Sequence, residues 1–270
     1  RRLLATPLFT VFAVLSLAIG VAVTTAVYSV VDAIFLRDAG ARDPDRVVIV
    51  VSPYDGLFVH GSISLPDFQD LRAAQTSFTS ISASASFTPA VASSFTTELL
   101  AAEAVDGAYF STLGVSPAIG RTIQPADDAG TARVVVLSHA LWRRRFAANP
   151  AVVGQMIRIS GQPFEVVGVA AASFEGVSGP LPGTRLWIPL STEASLSPLA
   201  PTAPVSARDR RRLVVFGRLA PPVTAAAASA EVSAIAATLD TSFPPRTPSG
   251  QPRATERPWK GKTMAAISGD

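Results

Sequence analysis

The sequence predicts an α+β domain that follows an N-terminal transmembrane helix. Three observations lead there. An uncharged run extends from Leu3 to Val31. Short β-branched runs recur along the rest of the chain. Helix-start signals fall irregularly between those runs, not in strict alternation with them. A chain of 270 residues holds one large domain or two small ones and is long enough to bury a core.

The uncharged run reads LLATPLFTVFAVLSLAIGVAVTTAVYSVV. A bilayer core of ~30 Å needs about 20 helical residues. A span from about Leu8 to Val30 is therefore expected, within a membrane segment covering residues 1–36. Pro7 suits a first helical turn, where its missing N–H costs nothing. Ala18, Ala22, Thr25 and Ala26 offer a small-residue face on which a second helix can pack. A cleaved signal peptide has a shorter apolar centre, roughly 7–15 residues. Arg1 and Arg2 precede the run, and Arg37, Arg42 and Arg46 follow it. A long following domain translocates largely regardless of its charge, so the expected orientation is N-terminus inside and domain outside. A first residue of Arg suggests a fragment or a trimmed chain.

Beyond the span, Arg46–Val51 (RVVIVV) reads as a buried strand and Pro53–Gly61 as a loop. Ser64 is the expected N-cap of a helix carrying Pro66, Asp67, Phe68 and Leu71. Phe78–Phe95 alternates loosely, as in an exposed strand pair. Glu98–Val105 is read as a strand. A short helix through Ala108–Leu113 follows, capped by Gly114. Arg133–Leu137 is a buried strand, and Ser138 caps a helix that Asn149-Pro150 stops. Met156–Ser160 and Phe164–Val169 form a hairpin turned by Gly161-Gln162. Leu186–Leu190 is an edge-type strand limited by Pro189. Residues 191–209 read as a surface loop and Leu213–Leu219 as a strand. Pro221-Pro222 opens a helix whose core face is Val232, Ile235 and Leu239. The tail 244–270 is expected to be disordered.

Composition excludes much chemistry. The formal net charge is +3, a poor footprint for nucleic acid, which needs a clustered basic face. Arg143–Arg145 and Arg208, Arg210, Arg211 and Arg212 are read as a solvated helix face and a loop. There is no cysteine, so disulfides, thiolate nucleophiles and Cys-based zinc sites are excluded. Only His60 and His139 are present. Ser138 and His139 are sequence neighbours and do not form a natural catalytic pair. Gly176-Val-Ser178-Gly179 lacks the spacing of a nucleophile elbow. Gly261-Lys262-Thr263 imitates the end of a phosphate loop, but the glycine that loop requires is Glu256. Asp127-Asp128 has too few partners for a cation site and reads as a turn or helix cap. Trp142, Phe146 and Trp187 read as core. No catalytic, cofactor-binding or metal-ligating residue is assigned, no cofactor is expected, and the chain is expected not to be an enzyme.

Several segments together carry a resemblance. They are Tyr28-Ser-Val-Val-Asp-Ala-Ile-Phe-Leu-Arg37, Asp43-Pro-Asp-Arg-Val47, Leu65-Pro-Asp-Phe-Gln-Asp-Leu-Arg72 and Val105-Asp-Gly-Ala-Tyr-Phe-Ser-Thr-Leu-Gly-Val115, then Gly120-Arg121 and Asp127-Asp128. Val134-Val-Val-Leu-Ser-His-Ala-Leu-Trp-Arg-Arg-Arg-Phe146 follows, then Val153-Gly154, Phe164-Glu-Val-Val-Gly-Val169, Leu186-Trp-Ile-Pro-Leu190 and Gly217-Arg-Leu219. In this order they resemble the MacB-like periplasmic core domain of ABC-transporter permeases, FtsX-like in class, especially the duplicated type common in acidobacteria. The resemblance covers about residues 1–243.

It implies a mixed α/β periplasmic domain over 40–243, with a sabre-like insert at 106–195 between porter-like flanks. It also implies a place in the bacterial inner membrane with the main domain periplasmic. The implied partners are membrane lipid, a separate ABC ATPase subunit, further permease helices or a second permease copy, and a periplasmic adaptor, but not nucleic acid. The implied function is to pass conformational change from a separate cytoplasmic ATPase to the periplasmic side. A family permease continues into further membrane helices, whereas this sequence ends at Asp270 without a second apolar span. A truncated permease remnant, or a non-transporting membrane-anchored binding module, is the alternative expectation. A membrane-tethered hydrolase is the third, and it would need a nucleophile–base pair or metal cluster in one pocket.

Overall fold

A computed structural model describes residues 42–51, 63–92, 97–130, 132–177, 183–193, 195–196, 208, 211–243 and 262–264. The expected transmembrane helix within 1–36 lies outside the described residues. Among the described residues no helix is long and apolar enough to cross a membrane.

The strands are β1 Val47–Val51, β2 Ile63–Ser64, β3 Phe78–Phe87, β4 Ala90–Ala92, β5 Thr97–Leu99, β6 Ala102–Val105 and β7 Pro117–Gly120. They continue as β8 Val134–Leu137, β9 Met156–Ile159, β10 Gln162–Ala170, β11 Leu186–Pro189, β12 Arg211–Leu219 and β13 Lys262–Met264. The helices are α1 Leu65–Ala74, α2 Tyr109–Leu113, α3 Pro125–Asp128, α4 His139–Phe146, α5 Leu190–Glu193 and α6 Ala225–Ser242. All the strands join one sheet in the order β13-β1-β12-β3-β6-β11-β8-β10-β9-β4-β5, with β2 on β12 and β7 on β10. Strands from 106–195 are contiguous in that order, from β11 to β9. β4 follows β3 after Thr88-Pro89, and β5 leads back into β6. The long hairpin 78–105 therefore touches the 106–195 strands twice, β6 on β11 and β4 on β9.

Period-2 alternation gives the sheet two buried faces. One carries Val50, Val215, Ala83, Ala104, Ile188, Val135 and Val166, packed with Phe68 and Leu71 of α1, Leu141 of α4, and Ala228, Val232 and Ala236 of α6. The other carries Phe216, Val105, Trp187, Val136 and Val167, covered by Tyr109, Phe110 and Leu113 of α2 and by Phe174.

Local signals explain the helices. Ser64 accepts from the Asp67 N–H at 3.2 Å, Ser138 from the Leu141 N–H at 3.1 Å, and Gly114 ends α2 in the left-handed conformation. Elsewhere the structure corrects the expectations. The described part of the expected exposed pair Phe78–Phe95, residues 78–92, is not one: β3 is largely buried between β12 and β6, and β4 pairs with β5 and β9. Its Ser and Ala side chains are small enough to lie under covering layers. β11 is interior rather than an edge, because Pro189 stands beyond its last pair with β8. The β9–β10 turn is Ser160-Gly161, with φ of 48° and 80°, the left-handed pair that tight hairpins require. Helix α6 starts at Ala225 behind the N-cap Thr224, not at Pro221-Pro222. Its buried stripe is Ala228, Val232 and Ala236, so Ile235 and Leu239 lie beside the core face. Most of the tail 244–270 lies outside the described residues; Lys262–Met264 within it pairs antiparallel with β1.

Candidate functional site

The most unusual chemistry lies where 106–195 meets its flanks. In β6, Ala102 and Ala104 face the side covered by α1, α4 and α6, so Glu103 points to the face covered by α2. It is 0 % exposed. The Tyr109 hydroxyl donates to Glu103 Oε2 at 2.6 Å, and the Thr184 hydroxyl donates to Oε1. The Val177 N–H donates to the Tyr109 oxygen at 3.3 Å. Tyr109 sits edge-on to Phe110, Phe174 and Phe216 at 5.1, 6.1 and 5.4 Å, and Trp187 stacks on Phe174 at 5.2 Å. Burial, then the Glu103 charge, pushes the Tyr109 phenol well above its ordinary value, so it stays a proton donor.

Three residues on, Asp106 is also buried. Its Oδ1 accepts from the Ser82 hydroxyl and, at 3.4 Å, from the Ala83 N–H. Its Oδ2 faces Arg72 Nη1 at 3.2 Å. Burial raises its pKa from 3.8 to about 6, against the lowering effect of those bonds and of Arg72; Asp128 adds a little repulsion. A third buried carboxylate, Glu193 of α5, is gripped by both terminal nitrogens of Arg212 in β12. Glu103, Asp106 and Glu193 each bind a partner across the boundary between 106–195 and the flanks.

Arg218 forms a further fastening where the chain enters the sheet, and it also reaches α2. Arg218 of β12 donates to the Thr112 carbonyl at 2.9 Å, the Arg42 carbonyl at 2.6 Å and the Asp43 carbonyl at 3.4 Å. The Arg42 N–H donates to the Leu113 carbonyl at 2.8 Å. The bonds to Thr112 and Leu113 satisfy carbonyls at the C-terminal end of α2, which its own helix leaves free.

The residues weighed from the sequence are placed as follows. Asp127 is a helix-cap residue: its carboxylate accepts from the Gln124 N–H at 2.9 Å and forms a bidentate pair with Arg121 at 2.6 and 2.9 Å. Asp128 accepts from the Ser191 N–H at 2.9 Å. Ser138 is committed to its cap, and His139 lies edge-on to Trp142 at 5.4 Å. Arg144 pairs with Glu98 at 3.2 Å, and Arg145 reaches the Val91 carbonyl at 3.5 Å. The expected solvated face therefore ties α4 to β4 and β5. Arg208 spans Asp67 at 2.6 Å and Asp70 at 2.7 Å, and lies 3.7 Å from the centre of the Phe243 ring. Trp187 is fully buried, while Trp142 and Phe146 are partly buried against the core. Among the described residues no group of three His, Asp or Glu side chains could hold a metal. His60, Ser178, Arg210 and Gly261 lie outside the described residues. Sequence reasoning missed Glu103 and Asp106. The available signal was a lone carboxylate at 103, an apolar-face position of a strand.

The family model described as MacB-like periplasmic core domain matches residues 10–235. The chain is 34% identical over 91 residues to the macrolide export ATP-binding/permease protein MacB of Shigella dysenteriae serotype 1, and equally to that of Escherichia coli K12. These matches cover 34% of this chain but only 14% of those relatives. Among solved structures, the periplasmic region of MacB from Actinobacillus actinomycetemcomitans aligns with a TM-score of 0.57 at 16% identity, over 78% of this chain and 87% of that one. The extracellular domain of the transporter YknZ from Gram-positive bacteria aligns at 0.53 and 14%, over 73% and 94%. A permease domain from Porphyromonas gingivalis aligns at 0.53 and 12%, over 76% and 84%. The structural likenesses show a shared mixed α/β fold, and with the family model covering most of its length, this chain belongs to the MacB-like periplasmic core domain family of ABC-transporter permeases.

Proposed function

We propose that this chain is the extracytoplasmic core of a MacB-like permease, held by a transmembrane helix at about Leu8–Val30 in the bacterial inner membrane. In this reading a separate cytoplasmic ATPase moves that helix, and the domain carries the movement to the periplasmic side. The domain itself does no chemistry. Membrane lipid, further permease helices or a second permease copy, and a periplasmic adaptor are its proposed partners.

The observation that carries the reading is the Arg218 fastening. A helix can drive a domain only if the chain between them enters a stiff part of it. Arg42 and Asp43 are bound to Arg218, and Val47–Val50 pair residue by residue with β12. A pull on residue 42 would therefore load the sheet before it could unravel a loop. The commitments of Ser138, His139 and Asp127 to a cap, an aromatic contact and an ion pair support a non-catalytic role.

The absence of cysteine makes the test clean, since one engineered thiol is the only one present. Arg143→Cys in intact cells should react with a membrane-impermeant maleimide, and Thr10→Cys should not. The chain should also co-purify with an ABC ATPase and change its rate. Labelling of Arg143→Cys only after lysis would overturn the orientation. Correct labelling without any ATPase would leave a membrane-anchored binding module instead.

A further inference from the structure

Five carboxylates are buried among the described residues: Asp67, Glu103, Asp106, Asp127 and Glu193. Asp127 binds Arg121 within 106–195, and Asp67 binds Arg208, so neither pairs 106–195 with its flanks. Of the three that cross the boundary, Asp106 stands at the crossing itself, as the first residue of 106–195. Its backbone N–H donates to the Ala83 carbonyl at 3.0 Å, and its own carbonyl receives the Tyr109 N–H at 3.1 Å. It thus fixes the end of β6 and the start of α2 together.

The two carboxylate oxygens do different work. Oδ1 is held inside the protein by Ser82 and Ala83 of β3. Among the described residues Oδ2 faces Arg72, which belongs to the last turn of α1. Arg72 is half exposed, at 48%, whereas the Asp106 side chain is 3% exposed. One partner is fixed and dry, the other long and solvated. The charged groups facing the carboxylate are Arg72 from α1 and, more weakly, Asp128 from α3; β3 presents the hydroxyl and the N–H.

We propose that Asp106 is a proton-operated fastener between α1 and the start of the 106–195 segment. When ionised, it holds Arg72 and pins the last turn of α1. When a proton from solvent binds Oδ2, that oxygen becomes an O–H donor and no longer attracts a guanidinium. Arg72 then swings into water, while Oδ1 keeps its bonds to β3. The chain stays folded and α1 loses its C-terminal tie. The N-terminal end of α1 remains held by Arg208 on Asp67 and Asp70, so the loosening is confined to one end. Burial of the carboxylate places the transition near pH 6, within the range over which an extracytoplasmic medium varies. The fastener is internal to the domain and does not depend on the transport reading.

The test is hydrogen–deuterium exchange of the full chain in detergent micelles at about pH 5 and about pH 7.5, corrected for the intrinsic pH dependence of exchange. Amides of 65–74 should exchange roughly two- to fivefold faster at the lower pH, the size that a half-exposed ion pair supports. Those of 162–170 should not change. Asp106→Asn should remove the pH step and exchange at the acid rate throughout. Arg72→Gln, altered at a solvated side chain, should do the same and carries the test if the first variant does not fold. A wild-type chain with equal rates at both pH values overturns the proposal, as does a pH step that survives in either variant.

Discussion

The Tyr109 hydroxyl donates to the Glu103 carboxylate at 2.6 Å, joining the first helix of 106–195 to the last flank strand before it. Both side chains are 0 % exposed, so neither has water as a substitute partner. Tyr109→Phe removes one donor and leaves the carboxylate in place. A buried acceptor stripped of its partner costs about 1–3 kcal/mol, and more when it is charged. Equilibrium urea unfolding should show a loss of at least that order. Tyr109→Phe combined with Thr184→Val should deviate from additivity, because both donors serve one carboxylate.

Gly176 bounds the same carboxylate from the other side. Its φ is +92°, and a Cβ there would lie 2.4 Å from Glu103 Oε1 and 2.6 Å from the Thr184 hydroxyl oxygen. The side chains that would have to give way are buried and bonded to each other. Gly176→Ala should therefore destabilise by about 1–3 kcal/mol from the backbone conformation alone, with the clash added. Gly130→Ala is the matched control, because nothing lies within 4 Å of its Cβ position and its φ is not positive. That change should stay within about 0.5 kcal/mol, as for surface sites. Thermal unfolding of the two variants side by side separates a fitted glycine from a tolerant one.

These two residues show where the sequence was legible. Local signals placed the elements well: Ser64 and Ser138 as caps, Gly114 as a helix stop, and the β-branched runs at 46–51, 133–137 and 213–219 as strands, observed at 47–51, 134–137 and 211–219. Those signals depend on neighbours in sequence. The site depends on residues distant in sequence, such as Thr184 bonding Glu103 across 81 positions. Gly176 stood in a serine-containing run and drew attention for its resemblance to a nucleophile turn. Its importance comes from a carboxylate that only the sheet brings near. The misread elements have the same origin. Pro189 marks an edge only when the strand on the side its nitrogen faces would need an N–H there, and the structure places it past the end of the pairing with β8. The small side chains of β3 looked solvated because polarity alone cannot say which layers will cover them.

Two groups of carboxylates should give the domain opposing responses to pH. Asp127 and Glu231 are both held below their ordinary values. Burial pushes each up, but Arg121 and the Gln124 N–H outweigh it for Asp127, and the hydroxyl and N–H donors of Thr76 and Ser77 outweigh it for Glu231. Their contribution is present above the unfolded values of 3.8 and 4.5 and is lost as pH falls through the lower folded values. Asp106 behaves in reverse. Its folded value of about 6 exceeds the unfolded 3.8, so its contribution is complete below 3.8 and lost as pH rises through 6. The upper bound of that loss is about 3 kcal/mol at 1.36 kcal/mol per unit. Asp106→Asn should be more stable than wild type at pH 7.5, with the advantage shrinking towards pH 4. Urea midpoints across that range check the sign.

Arg218 offers the sharpest separation between local loosening and global loss. Its guanidinium serves three carbonyls, those of Arg42, Asp43 and Thr112, and burial draws its pKa below the ordinary value for arginine. Lysine preserves the charge, but its compact ammonium cannot reproduce the planar fork that reaches both the entering chain and the end of α2. Arg218→Lys should free residues 42–46 while leaving the β8–β10 pairing intact, since no bond to those strands passes through it. Exchange of the 42–46 amides should rise several-fold, and exchange at 134–137 and 162–170 should not move. The overall unfolding free energy should fall by only about 1.5–3 kcal/mol, the worth of one hydrogen bond to a charged group. If the domain is driven from its N-terminal helix, the same variant should lower ATPase coupling far more than it lowers stability. Equal proportional losses in both would mean that Arg218 merely supports the fold.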